Sequence, residues 1–182
     1  IGLGYVGLTL AMHSVRKGFQ VDGIEINEET FNSLTIGETH FHEPGLDELV
    51  KLSLGKSFNI FKIPPDKHYD YIIITVGTPL ISPEDKVPNM DILQNAISSI
   101  KHLVNEKNLL VLRSTIPVGS TRNVANEFSD LEEINISFCP ERTAEGKALD
   151  ELQSLPQIIS GINSRSIQMA NELFEELADE II

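Results

Sequence analysis

The feature that most constrains this fold is an alternation of short apolar runs with amphipathic helical patterns. Apolar runs of strand length include "YDYIIITVGTP", "NLLVLRST" and "INISFCPE". The segments between them, such as 90–104, repeat their apolar residues with the helical period. This alternation is typical of βαβ units, whose helices cover a parallel sheet. We therefore predict an α/β fold with a doubly wound parallel sheet.

The same patterns predict the individual elements. The 182 residues fit one domain, 1–182. The Pro-rich loop "GTPLISPEDKVPN" is predicted to be an exposed connection near a site. Helices are predicted at 5–17, 28–36, 43–54, 90–104, 120–128 and 164–180, and strands at 19–26 and 58–62, in the three apolar runs and, as a further candidate, in "LPQIISG".

Charge and composition exclude several classes of partner. The formal net charge of −13 repels nucleic acid and anionic membrane surfaces. No apolar run approaches the ~20 residues that span a bilayer. Cys139 is the only cysteine, which rules out an internal disulfide and suits a reducing, cytoplasmic compartment. His40, His42 and Glu43 lie close together, but no complementary ligand cluster appears elsewhere, so we predict no metal site.

A glycine-rich turn opens the chain. Gly2, Gly4 and Gly7 form G-x-G-x-x-G before a helical pattern. In dinucleotide-binding turns the first glycine permits the turn, the second admits a pyrophosphate, and the third packs helix against strand. Glu25 lies 18 residues after Gly7, where a carboxylate can accept the ribose hydroxyls and oppose a 2′-phosphate. This favours NAD over NADP, with an ordinary glycine turn and a solvated Glu25 as the alternative.

Polar residues follow three of the predicted strands. Thr78 and Thr115 end two of them, at the edge where open α/β sheets bind ligands, although ordinary turn chemistry also explains a single threonine. Glu141 and Glu145 follow the third, and face one side only if that segment is helical. A carboxylate beside arginine is a fixed anion, whereas one in a dry pocket can act as a base. Cys139 is predicted to be structural.

Six motifs in order resemble the UDP-glucose/GDP-mannose dehydrogenase family over nearly all of the chain. They are "GLGYVGL", "HEPGLDEL", "TVGTP", "RSTIPVGST", "CPERTAEGKALDEL" and "LPQIISG". The "CPER" form is more similar to the branch that acts on UDP-N-acetylhexosamines such as UDP-N-acetyl-mannosamine than to UDP-glucose 6-dehydrogenases. The resemblance implies a Rossmann-like N-terminal domain of a larger enzyme, which oxidises a sugar C6 alcohol to a carboxylate in two NAD-dependent steps. We expect the complete enzyme to be a homodimer or higher oligomer in polysaccharide biosynthesis.

The resemblance also implies residue roles. Tyr5 and Val6 match positions at the NAD pyrophosphate, and Glu25 matches the ribose ligand. Thr78 and Thr115 match NAD-contacting threonines, the second close to the reacting centre. Arg142 and Thr143 match positions that contact the nucleotide sugar. Glu141 matches a glutamate that orders catalytic water, and Glu145 matches one near the cofactor.

Two departures from the family pattern qualify these expectations. Thr30 and its acidic neighbours do not supply the basic residue that often covers the adenosine phosphate. The family's nucleophilic Cys, Lys and Asn belong to a downstream domain, and Cys139 does not match that nucleophile. Since only Ile1 precedes the glycine turn, we also expect a truncated first strand, and a fragment that is inactive alone. The alternatives are a 6-phosphogluconate or hydroxyisobutyrate-type dehydrogenase and a non-catalytic NAD-binding module.

Overall fold

The computed structural model describes residues 1–82, 84 and 86–182 and confirms the α/β class. Helices and short strands largely alternate along these residues, with a 3₁₀ turn at Lys101–Leu103 and two consecutive elements of the same kind in three places. The helices are α1 (Tyr5–Arg16), α2 (Glu28–Thr35), α3 (Leu46–Ser53), α4 (Asp91–Ile100), α5 (Ser120–Asn126), α6 (Ala148–Ser154) and α7 (Ser164–Glu175). The strands are β1 (Val21–Ile24), β2 (Phe58–Phe61), β3 (Tyr71–Ile74), β4 (Leu109–Leu112) and β5 (Asn135–Phe138).

All strand pairs are parallel. One sheet pairs β1 with β2, and the other has the order β3-β4-β5. The first residues of the chain lie between the two sheets. The Gly2 amide donates to the Ile24 carbonyl at 2.8 Å, and the Ile1 carbonyl accepts from the Thr75 amide at 2.9 Å. The two sheets therefore continue one another through the segment that leads into the glycine turn.

Strand β4 shows why its sequence is apolar throughout. Leu110 and Leu112 belong to one core, formed with α4 and α5. Leu109 and Val111 belong to a second core on the opposite face, formed with α7 and part of α1. A strand covered by helices on both faces reads as a continuous apolar run, which is why the doubly wound arrangement could be predicted.

Several predicted boundaries need correction. Strands are four residues long, shorter than the apolar runs, and the predicted strand at 155–161 is reduced to an isolated parallel bridge between Gln157 and Ile181. Helix α3 begins at Leu46 rather than near Pro44, and α7 ends at Glu175. Helix α6 is an additional element that the patterns do not predict, and residues 141–147 are extended or turned rather than helical.

The loop at 77–89 was predicted as an exposed connection. Leu80 and Pro88 form an antiparallel bridge, and the Ile81 amide donates to the Val87 carbonyl at 2.9 Å. Leu80, Ile81 and Val87 are exposed. Pro83 and Asp85 of this loop lie outside the described residues.

In the part of the chain that the structure describes, no helix has both the length and the apolar character required to cross a membrane.

Candidate dinucleotide site

The glycine turn has the geometry that its three positions require. Gly2 has φ of +90°, in the left-handed region that favours glycine. A Cβ on Gly7 would lie 1.8 Å from the Gly2 carbonyl oxygen and 2.5 Å from Thr75 Oγ1, so the helix packs directly on the turn. A Cβ on Gly4 would meet no protein atom within 4 Å, which leaves open space where a ligand can approach.

Helix α1 begins immediately after Gly4. Tyr5 and Val6 form its first turn, and both are partly exposed. Backbone N–H groups of a first turn lack intrahelical acceptors, and the helix dipole places partial positive charge there. The arrangement is suited to a pyrophosphate.

Glu25 follows β1 and lies against the turn. Its side chain accepts a hydrogen bond from the Leu3 amide at 2.9 Å and another from the Asn27 amide at 2.8 Å. Although the residue is buried, each carboxylate oxygen keeps a second lone pair for a ribose hydroxyl. Glu25 is therefore a candidate ribose ligand and also joins the glycine turn to the start of α2. Its spacing in the sequence did not reveal this structural role.

The two strand-end threonines lie side by side. The Thr78 hydroxyl donates to the Thr115 carbonyl at 2.6 Å. The neighbouring Ser114 hydroxyl donates to the Val76 carbonyl, also at 2.6 Å, so two bonds join the ends of β3 and β4. These contacts agree with the expected convergence at the carboxyl edge of the parallel sheet.

The partner of Glu141 is Arg113 rather than the adjacent Arg142. Arg113 Nε and Nη2 lie 2.9 and 2.6 Å from Glu141 Oε2, and both side chains are largely buried. Burial alone would raise the pKa of Glu141, but the Arg113 charge and the Thr143 and Arg142 amides outweigh it, and the pKa is lowered. Glu141 is thus a fixed anion. Sequence reasoning missed Arg113, although an arginine directly after a buried strand was the available signal.

The other predicted residues of this loop differ in their hydrogen-bond partners and in their exposure. The Arg142 side chain donates to the Pro156 carbonyl, away from Glu141. Thr143 Oγ1 is buried and makes no hydrogen bond within the described residues, so it is free to meet a ligand. Glu145 is exposed on the turn before α6.

A second carboxylate that sequence reasoning undervalued is Glu43. In the sequence, Glu43 is considered only beside His40 and His42 as a metal ligand, but its side chain accepts hydrogen bonds from α1 and from the loop before α6. It accepts from the Tyr5 hydroxyl at 3.0 Å and from the Gly146 amide at 2.8 Å. The Tyr5 hydroxyl also lies 2.8 Å from the Ala144 carbonyl. These bonds place loop 141–147 beside the glycine turn.

The remaining candidates are Cys139 and the pair His40 and His42. Cys139 is buried in the core, and burial raises the pKa of its thiol to about 11. Such a thiol is a poor nucleophile at neutral pH. Among residues 1–82, 84 and 86–182, no group of three or more His, Cys, Asp or Glu side chains could hold a metal ion. His40 and His42 lie within these residues and belong to no such group.

Taken together, the residues fit a bound NAD. Gly4 leaves room for the pyrophosphate, the start of α1 offers N–H donors, and Glu25 offers ribose acceptors. Thr78 and Thr115 follow the neighbouring strands of the sheet, and the loop with Glu141 adjoins Tyr5.

Comparison with known proteins agrees with this arrangement. The UDP-N-acetyl-D-mannosamine dehydrogenase of Methanococcus maripaludis is 35% identical over 182 residues, which cover 98% of this chain and 42% of that protein. The NDP-N-acetyl-D-galactosaminuronic acid dehydrogenase of Ralstonia solanacearum is 31% identical, over 96% of this chain and 44% of that protein. The structure of UDP-D-ManNAc dehydrogenase from Pyrococcus horikoshii matches with a TM-score of 0.91 at 28% identity, covering 100% of this chain and 45% of that one.

The chain thus spans a little under half the length of each of these relatives. The sequence model of the NAD-binding domain of the UDP-glucose/GDP-mannose dehydrogenase family matches residues 1–178. With its glycine turn, its strand-end threonines and this match over nearly the whole chain, the protein belongs to the UDP-glucose/GDP-mannose dehydrogenase family, of which it forms the NAD-binding domain.

Proposed function

We propose that this chain is the NAD-binding part of a nucleotide-sugar 6-dehydrogenase acting on a UDP-N-acetylhexosamine, with UDP-N-acetyl-mannosamine as the first candidate. The enzyme oxidises the C6 alcohol to a carboxylate in two NAD-dependent steps. The chemistry that NAD supplies when bound is the acceptance of a hydride. The observation that carries the proposal is the Tyr5–Ala144 hydrogen bond of 2.8 Å, because it fixes the loop of Glu141, Arg142 and Thr143 beside the cofactor turn.

Each end of the cofactor has its own residues in this proposal. The first-turn amides of α1, at Tyr5 and Val6, bind the pyrophosphate, and Glu25 accepts the ribose hydroxyls. Thr78 and Thr115 orient the nicotinamide end. Their hydroxyls can both donate and accept, which suits an amide or a ribose.

The loop after β5 serves the sugar. Arg142 and Thr143 contact the nucleotide sugar, and the unpartnered Thr143 hydroxyl supports this assignment. Glu141, held ionised by Arg113, orders a water by accepting its hydrogen bond, and its lowered pKa makes it a weak proton acceptor. Glu145 lies at the exposed end of the loop, near the cofactor.

The cofactor assignment is tested by titrating the chain with NAD and NADP. A 2′-phosphate against the Glu25 carboxylate costs several kcal/mol, so we expect NADP to bind at least roughly 100-fold more weakly. Glu25→Gln should narrow this difference in affinity, whereas Glu175→Gln, which changes an exposed acid at the end of α7, should leave it unchanged. Equal affinity of the unaltered chain for both cofactors would refute the role of Glu25.

The substrate assignment is tested by following NADH absorbance. We expect the 182-residue chain with NAD and UDP-N-acetyl-mannosamine to show no turnover, because its single thiol, Cys139, is buried and poorly ionised. A protein that carries this chain with the family's downstream domain should show turnover. UDP-N-acetyl-galactosamine and UDP-glucose serve as competing substrates, and a preference for either would replace the proposed sugar.

A further inference from the structure

Glu43 joins three segments that are distant in sequence. Its carboxylate lies in a residue only 5% exposed. Oε2 accepts from both the Tyr5 hydroxyl at 3.0 Å and the Gly146 amide at 2.8 Å, while Oε1 lies 3.4 Å from the Leu149 amide. We call Tyr5, Glu43, Ala144, Gly146 and Leu149 the Glu43 cluster.

The Tyr5 hydroxyl faces two competing acceptors in this cluster. It lies 2.8 Å from the Ala144 carbonyl and 3.0 Å from Glu43 Oε2. A phenol has one proton, so it cannot donate fully to both. Burial, and then the Glu43 carboxylate, raise the pKa of Tyr5, which therefore remains a donor at neutral pH. A small displacement of Tyr5 changes which acceptor receives the proton.

Any such change alters the hydrogen bond that the Gly146 amide donates, because that amide and the Tyr5 hydroxyl share Glu43 Oε2. When the tyrosine donates to Ala144 instead, the bond from Gly146 strengthens. Tyr5 belongs to the first turn of α1, where the cofactor phosphates are expected, and Gly146 belongs to the loop assigned to the sugar.

From this arrangement we propose that Glu43 is a positioning residue that couples NAD binding at the glycine turn to the conformation of loop 141–147. The proposal rests on the cofactor and sugar roles given above. Its two alternative states are the two acceptors of the Tyr5 proton, and cofactor binding biases one of them.

The experiment is an NAD titration of the ¹⁵N-labelled chain, followed by the amide resonance of Gly146 at saturation. We expect this resonance to shift in the unaltered protein. Tyr5→Phe removes the shared donor, so the Gly146 shift should fall to the level of Gly55, a glycine in the turn after α3. Tyr69→Phe is the matched control, because it removes a similar bond, 2.8 Å to Asp22, and should keep the Gly146 shift.

The outcomes separate this proposal from the cofactor assignment. Failure of the unaltered chain to bind NAD would overturn the cofactor site itself. NAD binding without a Gly146 shift would overturn only the coupling, because the bound cofactor would then leave the loop unchanged. A full shift in Tyr5→Phe would also overturn only the coupling, since direct contact with NAD would then explain the response. Glu43→Leu gives an independent test, because it removes the oxygen that the Tyr5 hydroxyl and the Gly146 amide share, and a full Gly146 shift there would also refute the coupling.

Discussion

Replacing Arg113 by methionine tests the buried ion pair that fixes Glu141. The Arg113 side chain is 2% exposed and that of Glu141 is 10% exposed. Besides its two contacts with Glu141, the guanidinium donates to Gln157 Oε1 at 2.9 Å and lies 5.4 Å from the centre of the Phe174 ring. Methionine fills much of the same space but leaves the Glu141 charge without its cation.

The expected cost follows from that uncompensated charge. Removing one partner of a buried ion pair destabilises a protein by about 3–5 kcal/mol. For a chain of this size, each 1 kcal/mol lowers Tm by about 2–4 °C, so Arg113→Met should lower Tm by about 6–20 °C. The double variant Arg113→Met with Glu141→Gln should recover most of the loss. The glutamine carries no charge, and its oxygen can still accept from the Arg142 and Thr143 amides.

The measurement is urea unfolding followed by circular dichroism, with thermal melts as a second assay. Arg122→Met, on the exposed side of α5, is the matched control and should change stability by no more than about 0.5 kcal/mol. The reasoning is refuted if Arg113→Met costs no more than Arg122→Met. It is equally refuted if the double variant is as unstable as Arg113→Met alone, since the stranded charge would then not be the cause.

The remaining predictions concern pH, packing and the thiol. Because the folded pKa of Glu141 lies below its ordinary value of 4.5, its stabilising effect is complete above that value and is lost as the pH falls through the folded pKa. The free energy of unfolding of Glu141→Gln should therefore fall less steeply on acidification than that of the unaltered chain. Identical curves for the two proteins would contradict the assignment. Gly7→Ala should cost more than ~3 kcal/mol, because its Cβ meets backbone, whereas Gly4→Ala should fold and lose about tenfold or more in NAD affinity by calorimetry. Native Cys139 should react with a thiol reagent only as fast as the protein unfolds, and rapid labelling in native buffer would show an accessible thiolate.

Local patterns determined the fold class and much of the cofactor turn. The run Leu109–Leu112 is apolar at every position because helices cover both faces of β4, and this burial is legible in the residues themselves. The glycine turn could also be predicted, because the steric constraints on Gly2 and Gly7 arise within a few residues of one another. Element boundaries also depend on distant partners, and the predicted strand around Gln157 is a single bridge because its pairing requires Ile181.

The pairing of buried charges was decided by the tertiary structure alone. Glu141 has Arg142 beside it in sequence, yet its cation comes from Arg113 on a neighbouring strand end. Glu43 likewise finds its donors at Tyr5 and Gly146, far away along the chain. A local sequence period reports which face of an element is buried, but not which distant group will lie against it. The sequence by itself therefore determined a parallel α/β domain with a dinucleotide turn. The packing of strand ends and loops decided which carboxylates are held by a cation or by neutral donors, because burial makes each charge depend on the partners that the fold brings to it.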